Sequence, residues 1–152
     1  MNNRRWPWLI AVVVFLLDRG TKIVSFFLPP EGVTLIPGVL GLRFAENRGI
    51  AFSLLSGVPW LLGCVSLAII IGMLWMLRKK MLAPLPLVGS MLMLGGAAGN
   101  MVDRFFLGYV PDMIELLFVN FAIFNVADTC LTVGCALLIW SLLFRPRDWK
   151  GA

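Results

Sequence analysis

Asp18, Asp103, Asp112 and Asp128 are the residues of this chain best suited to carry chemistry. Each stands in or beside a long apolar run, where an ionised group is disfavoured and its presence points to a functional site. Two such carboxylates brought together cannot both ionise, so they hold one proton between them. The ionised member takes a proton from water as it attacks an amide carbonyl, and the protonated member donates to the developing oxyanion or leaving group. That is the logic of an aspartic protease. His is absent, which excludes Ser-His triads, Cys-His dyads, HExxH metalloproteases and His-rich metal or haem sites. Cys64, Cys130 and Cys135 lie in apolar stretches without CxxC spacing, so neither a disulfide framework nor a zinc site is expected, and the chemistry needs no cofactor.

Local neighbours separate the four acids. Asp18 and Lys22 are four apart and share a helix face, as do Asn100, Asp103 and Arg104. Those two acids have partners at hand, which leaves Asp112 and Asp128 as the preferred dyad and Asp103 with Asp128 as its rival. Asn125 shares the face of Asp128 on the predicted last helix. Asp112 stands in a connection, Val110-Pro111-Asp112-Met113-Ile114, where Pro biases its predecessor towards extended backbone. Ser25 and Lys22 could form a Ser-Lys pair, which nothing else in the chain supports.

The elements that must position these groups follow from composition. Of 152 residues, 60% are hydrophobic and 14% charged, against about 25% charged in soluble domains. Mean hydropathy is +0.92, and a core of this size cannot hide so much apolar surface from water. An integral membrane protein is expected, all-α, with four transmembrane helices over about 8–28, 59–77, 85–102 and 121–144, each near the ~20 residues a span requires. The run that follows Arg4 and Arg5 holds Asp18, Arg19 and Lys22 and leads to no small-residue cleavage site, so it is read as a retained first helix. Cations gather at Arg4 and Arg5, at Arg78-Lys79-Lys80, and at Arg145, Arg147 and Lys150. These regions and both termini are predicted to be cytoplasmic. The net charge of +5 therefore reports topology, and no nucleic-acid partner is expected.

The connections 29–58 and 103–120 then face outward. In the first, Leu40, Leu42 and Phe44 alternate before Asn47-Arg48-Gly49, which suits a short strand entering a turn. The second, with Phe105, Phe106, Tyr109 and Phe118, reads as an interfacial segment. Gly95-Gly96-Ala97-Ala98-Gly99 offers a small-residue face for close helix packing. The absence of repeats and linkers suggests a single domain, 1–152.

Five blocks, in order along nearly the whole chain, resemble the lipoprotein signal peptidases (signal peptidase II), polytopic bacterial aspartic proteases. Asp18-Arg19-Gly20-Thr21-Lys22 resembles D-x-x-[ST]-K, with Arg19 where the family commonly has Gln. Asn47-Arg48-Gly49-Ile50-Ala51-Phe52 resembles N-x-G-x-A-F, and Gly99-Asn100-Met101-Val102-Asp103-Arg104 resembles G-N-x-x-D-R. Val110-Pro111-Asp112-Met113-Ile114 is similar to V-x-D-[FM]-I, and Phe124-Asn125-Val126-Ala127-Asp128 to F-N-x-A-D. The resemblance implies Asp112 and Asp128 as catalytic dyad, with Asp18, Lys22, Asn47, Asn100, Asp103, Arg104 and Asn125 supporting the site or orienting substrate. It implies an extracytoplasmic β-cradle in the first outer loop and a location in the bacterial cytoplasmic membrane, with the site towards the extracytoplasmic side. The implied substrate is a diacylglyceryl-modified prolipoprotein cut before its lipidated Cys, and the implied inhibitor is globomycin-like. A monomer within the lipid bilayer is expected. A small ion- or proton-coupled transporter and a non-catalytic membrane scaffold are the competing readings, because intramembrane Asp and Lys also serve transport and a glycine face also serves assembly.

Overall fold

The computed structural model describes residues 6–49, 57–79 and 82–149. Ile50, Ala51 and Phe52 of the second block, and the cations Arg4, Arg5, Lys80 and Lys150, lie outside the described residues. In chain order come α1 (Trp6–Ser25), β1 (Val33–Ile36), β2 (Leu40–Asn47), α2 (Pro59–Lys79), α3 (Pro84–Phe106), β3 (Val110–Leu116) and α4 (Val126–Phe144), then a 3-10 turn, Pro146–Trp149. By length and composition α2, α3 and α4 can each cross a membrane. At 20 residues α1 is as long, but its second half holds Asp18, Arg19 and Lys22.

The helices begin and end for local reasons. Pro84, at the start of α3, lacks the N–H that a first turn would leave unsatisfied. Arg78 and Lys79 close α2, where cations favour the negative end of the helix dipole. The predicted last span starts too early: residues 121–125 are not helical. Phe124 is held extended by a backbone bridge to Ile114, and α4 begins only after Asn125, whose side chain accepts from Asp128 N while the Asp128 carboxylate accepts from Asn125 N. This reciprocal capping box satisfies two end groups and fixes the first turn.

A three-stranded antiparallel sheet, ordered β1-β2-β3, joins the two connections predicted to face outward. The strand in the first connection is present. The second connection departs from expectation, because residues 110–116 form a strand paired along β2, with Ala45 opposite Asp112 and Asn47 opposite Val110. Val110, Pro111, Asp112 and Met113 are all buried, so both faces of that strand are covered and no alternation marks it in the sequence. The β1–β2 turn holds Pro37 and then Gly38 at φ 70°, a backbone region that glycine enters without strain.

Helix α3 is the hub, packing against α1, α2 and α4. Its glycines allow the approach. A Cβ on Gly95 would stand 2.6 Å from Ala11 O of α1, and one on Gly96 2.6 Å from Ala127 O of α4. One on Gly99 would collide with the Asp18 carboxylate. Large apolar side chains such as Leu9, Leu16, Ile71, Trp75 and Leu142 point outward, while Asp18, Lys22, Asn100, Asp103 and Asn125 are buried. This inside-out distribution suits a protein whose solvent is lipid.

Candidate active site

Lys22 is the centre of a buried ionic cluster. Its Nζ donates to Asp18 Oδ2 at 2.7 Å, to Asp103 Oδ2 at 2.7 Å and to Asn100 Oδ1 at 2.9 Å. All three protons of the ammonium are thus occupied, and its charge sits between two carboxylates. Asp18 Oδ1 accepts from Ala127 N in the first turn of α4 at 3.0 Å, which binds α1 to α4 where that helix has unpaired N–H groups. Arg19 Nη2 stands 2.5 Å from Asp103 Oδ1, close enough for an ion pair but without the alignment of a hydrogen bond.

These contacts correct two expectations. The partners of Asp103 are Lys22 and Arg19 of α1, not the adjacent Arg104, which turns away, lines a cleft and donates to Gly49 O at 3.4 Å. The Ser-Lys pair does not form, since the Ser25 hydroxyl donates to the backbone carbonyl of Lys22 and the Lys22 ammonium is fully engaged. Arg19 is the buried-site residue that sequence reasoning passed over; its position directly after Asp18 was the available signal.

Beside this cluster Asp112 and Asp128 share a partner. Asn125 Nδ2 donates to Asp112 Oδ1 at 2.6 Å, and Asn125 N donates to Asp128 Oδ2 at 3.3 Å. Asn47 Nδ2 donates to Asp112 Oδ2 at 2.9 Å, and Asn100 Nδ2 to Asp128 Oδ1 at 2.8 Å. Strand β3 delivers Asp112 and the first turn of α4 delivers Asp128. The end of β2 delivers Asn47 from two residues beyond the partner of Asp112, hence from the same face of the sheet.

Each of these asparagines has only one orientation available. The carbonyl of Asn125 accepts from Asp128 N at 2.8 Å, that of Asn47 from Gly49 N at 3.0 Å, and that of Asn100 from Lys22. Since a backbone N–H or an ammonium can only donate, each amide must turn its NH2 towards a carboxylate. All four oxygens of the two acids therefore accept from donors that cannot flip away. Asp112 is 2% exposed. Burial first, and then the charge of Asp128, push its carboxyl up to about 6, against the opposing pull of the Asn47 and Asn125 donors.

Asp128, Asn47, Asn100 and Arg104 line a cleft of about 560 Å³ together with mostly apolar side chains, among them Phe121, Ile123, Leu131 and Val133. Polar groups beside apolar walls suit an extended substrate with a hydrophobic part. Among the described residues no group of three Cys, Asp or Glu side chains is arranged to hold a metal ion.

Residues 10–144 match the family model described as Signal peptidase (SPase) II. The lipoprotein signal peptidase of Lactiplantibacillus plantarum is 39% identical over 144 residues, spanning 91% of this chain and 95% of that one. That of Streptococcus pneumoniae is 38% identical over 141 residues, spanning 89% and 92%. A solved structure described as a bacterial membrane enzyme superposes with a TM-score of 0.87 at 30% identity, covering 98% of this chain and 94% of that one. A second of the same description gives 0.84 at 31% identity, covering 93% and 95%.

Proposed function

The chain belongs to the signal peptidase II family, and from that premise we propose that Asp112 and Asp128 are its catalytic dyad. The enzyme is a membrane aspartic peptidase that removes signal peptides from prolipoproteins. The observation that carries the dyad is the sharing of Asn125, whose side chain holds Asp112 and whose backbone holds Asp128. Asp103, the rival, is already held between Lys22 and Arg19.

In the proposed reaction one proton resides on the pair. Water between the carboxylates loses a proton to the ionised acid as it attacks the scissile carbonyl, and the protonated acid donates to the oxygen that gains charge. Collapse of that intermediate breaks the C–N bond and passes a proton to the leaving amine. The fixed amides keep both acids in place throughout, so little reorganisation accompanies the charge movement.

The substrate is a prolipoprotein carrying diacylglyceryl on the Cys that follows the cut. Its lipid holds the bond at the interface through burial of hydrocarbon, about 0.8 kcal/mol per CH₂, and proximity to the dyad supplies further rate. We assign all four helices as membrane spans in a single domain, 1–152, with both termini cytoplasmic and the sheet and dyad on the extracytoplasmic side of a bacterial cytoplasmic membrane. A charged α1 is compatible with this because Asp18, Arg19 and Lys22 are paired with one another and with Asp103 of α3. The enzyme acts as a monomer and is open to a globomycin-like cyclic peptide at the cleft.

The test is cleavage of a diacylglyceryl-modified precursor by purified wild type, Asp112→Asn and Asp128→Asn. Both variants are expected to fold and to lose turnover, the unlipidated precursor to be a poor substrate, and globomycin to block the wild type. Turnover by either variant at more than a few per cent of wild type would overturn the dyad.

A further inference from the structure

Arg19 touches neither acid of the dyad, yet it completes the charge of the cluster beside it. The Asp103 carboxylate is divided between two cations of α1: its Oδ2 accepts from Lys22 Nζ at 2.7 Å, and its Oδ1 faces Arg19 Nη2 at 2.5 Å. Arg19 Nη2 also stands 3.4 Å from Asp18 Oδ2. Both carboxylates are fully buried, and the Arg19 side chain is only 25% exposed. Asp18 and Asp103 bring two negative charges, and Lys22 and Arg19 bring two positive ones, so the cluster is neutral. Without Arg19 it would carry one net negative charge in the interior.

That charge would reach the dyad. Lys22 Nζ donates to Asn100 Oδ1 at 2.9 Å, and Asn100 Nδ2 donates to Asp128 Oδ1 at 2.8 Å. An amide that accepts from an ammonium on one side is the stronger donor on its other side. Asp18 in turn holds Ala127 N, next to Asp128. Charges in such an interior are weakly screened by salt and act over longer distances than at the surface. The other charged or titratable groups around the dyad are independent of Arg19. Arg104 of α3 lies in the field of both Asp112 and Asp128, and Cys130 of α4 lies in that of Asp18. On the sheet, Arg43 pairs with Glu115 and Arg48 with Glu46.

We propose that Arg19 is a positioning residue that balances the charge of Asp103 and thereby sets the pH range over which Asp112 and Asp128 hold one proton between them. A guanidinium keeps its charge throughout the working pH range, so the balance is permanent, whereas Lys22 alone would be shared between two carboxylates. Loss of the Arg19 charge opposes ionisation of both dyad acids, because a net negative charge beside a carboxyl favours its neutral form. The inference rests on the dyad reading above and adds to it a residue that acts only through Asp103, Lys22 and Asn100.

The experiment measures kcat/KM for one lipidated precursor against pH, with melting temperature alongside, for wild type, Arg19→Gln, Arg19→Lys and the double variant Arg19→Gln/Asp103→Asn. Gln removes the charge, Lys keeps it, and the double variant removes one charge of each sign. The pH dependence of kcat/KM reports the free enzyme's acid and base, and the shared precursor contributes equally to every profile. Both limbs of the Arg19→Gln profile are expected to move to higher pH by about half to one unit. Arg19→Lys and the double variant should keep the wild-type limbs, whatever their absolute rates. A purely structural role would lower the rate at every pH and leave the limbs in place. Unmoved limbs in folded Arg19→Gln, or limbs displaced equally in the double variant or in Arg19→Lys, would overturn the inference and leave the peptidase reading intact. Should Arg19→Gln not fold, the double variant decides: wild-type limbs support the charge balance, and displaced limbs or a failure to fold overturn it. A folded wild type that cleaves the precursor at no pH would overturn both readings.

Discussion

Asp112 is held between opposing influences: burial and the charge of Asp128 raise its proton affinity, and the amides of Asn47 and Asn125 lower it, with a balance at about 6. An acid whose folded-state affinity exceeds its unfolded value, about 3.9, binds more protons when folded. Stability then falls as pH rises between those two values and levels off above 6, with a limiting slope of about 1.4 kcal/mol per pH unit. The wild-type melting temperature in detergent should therefore fall by several degrees from pH 4 to 6 relative to that of Asp112→Asn, whose neutral side chain removes this component. Parallel melting curves for the two proteins across that interval would contradict the raised affinity. The same residues show what spacing can and cannot reveal. Lys22, one turn from Asp18, was legible as its partner. Asp103 looked paired with Arg104, yet its partners come from another helix, because spacing along one helix identifies a shared face and not what that face meets.

At the scale of elements, the glycine run of α3 decides how close α1 and α4 can come, and so whether the ionic cluster and the dyad share one level. Gly99 faces the Asp18 carboxylate, and a methyl group there would have to displace it. Gly99→Ala is expected to destabilise the enzyme by about 1–3 kcal/mol, as overpacking does, and to lower activity with it, since Asp18 also fixes Ala127 next to Asp128. Gly72→Ala on α2, where a Cβ would meet nothing within 4 Å, is the control and should melt no lower than wild type. A Gly99→Ala enzyme with wild-type melting and turnover would contradict the close-packing account. The small-residue pattern made this face legible. Two other elements were less so. The start of α4 was signalled by Asn125-x-x-Asp128, a capping-box spacing hidden within an apolar run. Strand β3 carried no periodic signal because its residues are covered on both faces and include a proline.

For the whole molecule, the distribution of polarity sets the direction in which it works. The described cations Arg78, Lys79, Arg145 and Arg147 collect at the α2 and α4 C-terminal ends, whereas the sheet packs on α1 and α3 and meets the start of α4 through the Ile114–Phe124 bridge and the Asn125–Asp112 hydrogen bond. On the proposed topology the sheet covers the dyad on the side where water and the emerging polypeptide meet, and the cation-rich end stays with the cytoplasm. Single cysteines on a background lacking Cys64, Cys130 and Cys135 test this directly. In intact spheroplasts a membrane-impermeant maleimide should label Val39→Cys in the β1–β2 hairpin and leave Arg147→Cys unlabelled until the membrane is opened. The reverse pattern would place the dyad at the cytoplasmic face, where a translocated precursor no longer presents its cleavage site, and the proposed topology would fail along with the route by which substrate reaches Asp112 and Asp128. Labelling of both positions in intact cells would mean a mixed orientation, which the one-sided arrangement of charge argues against.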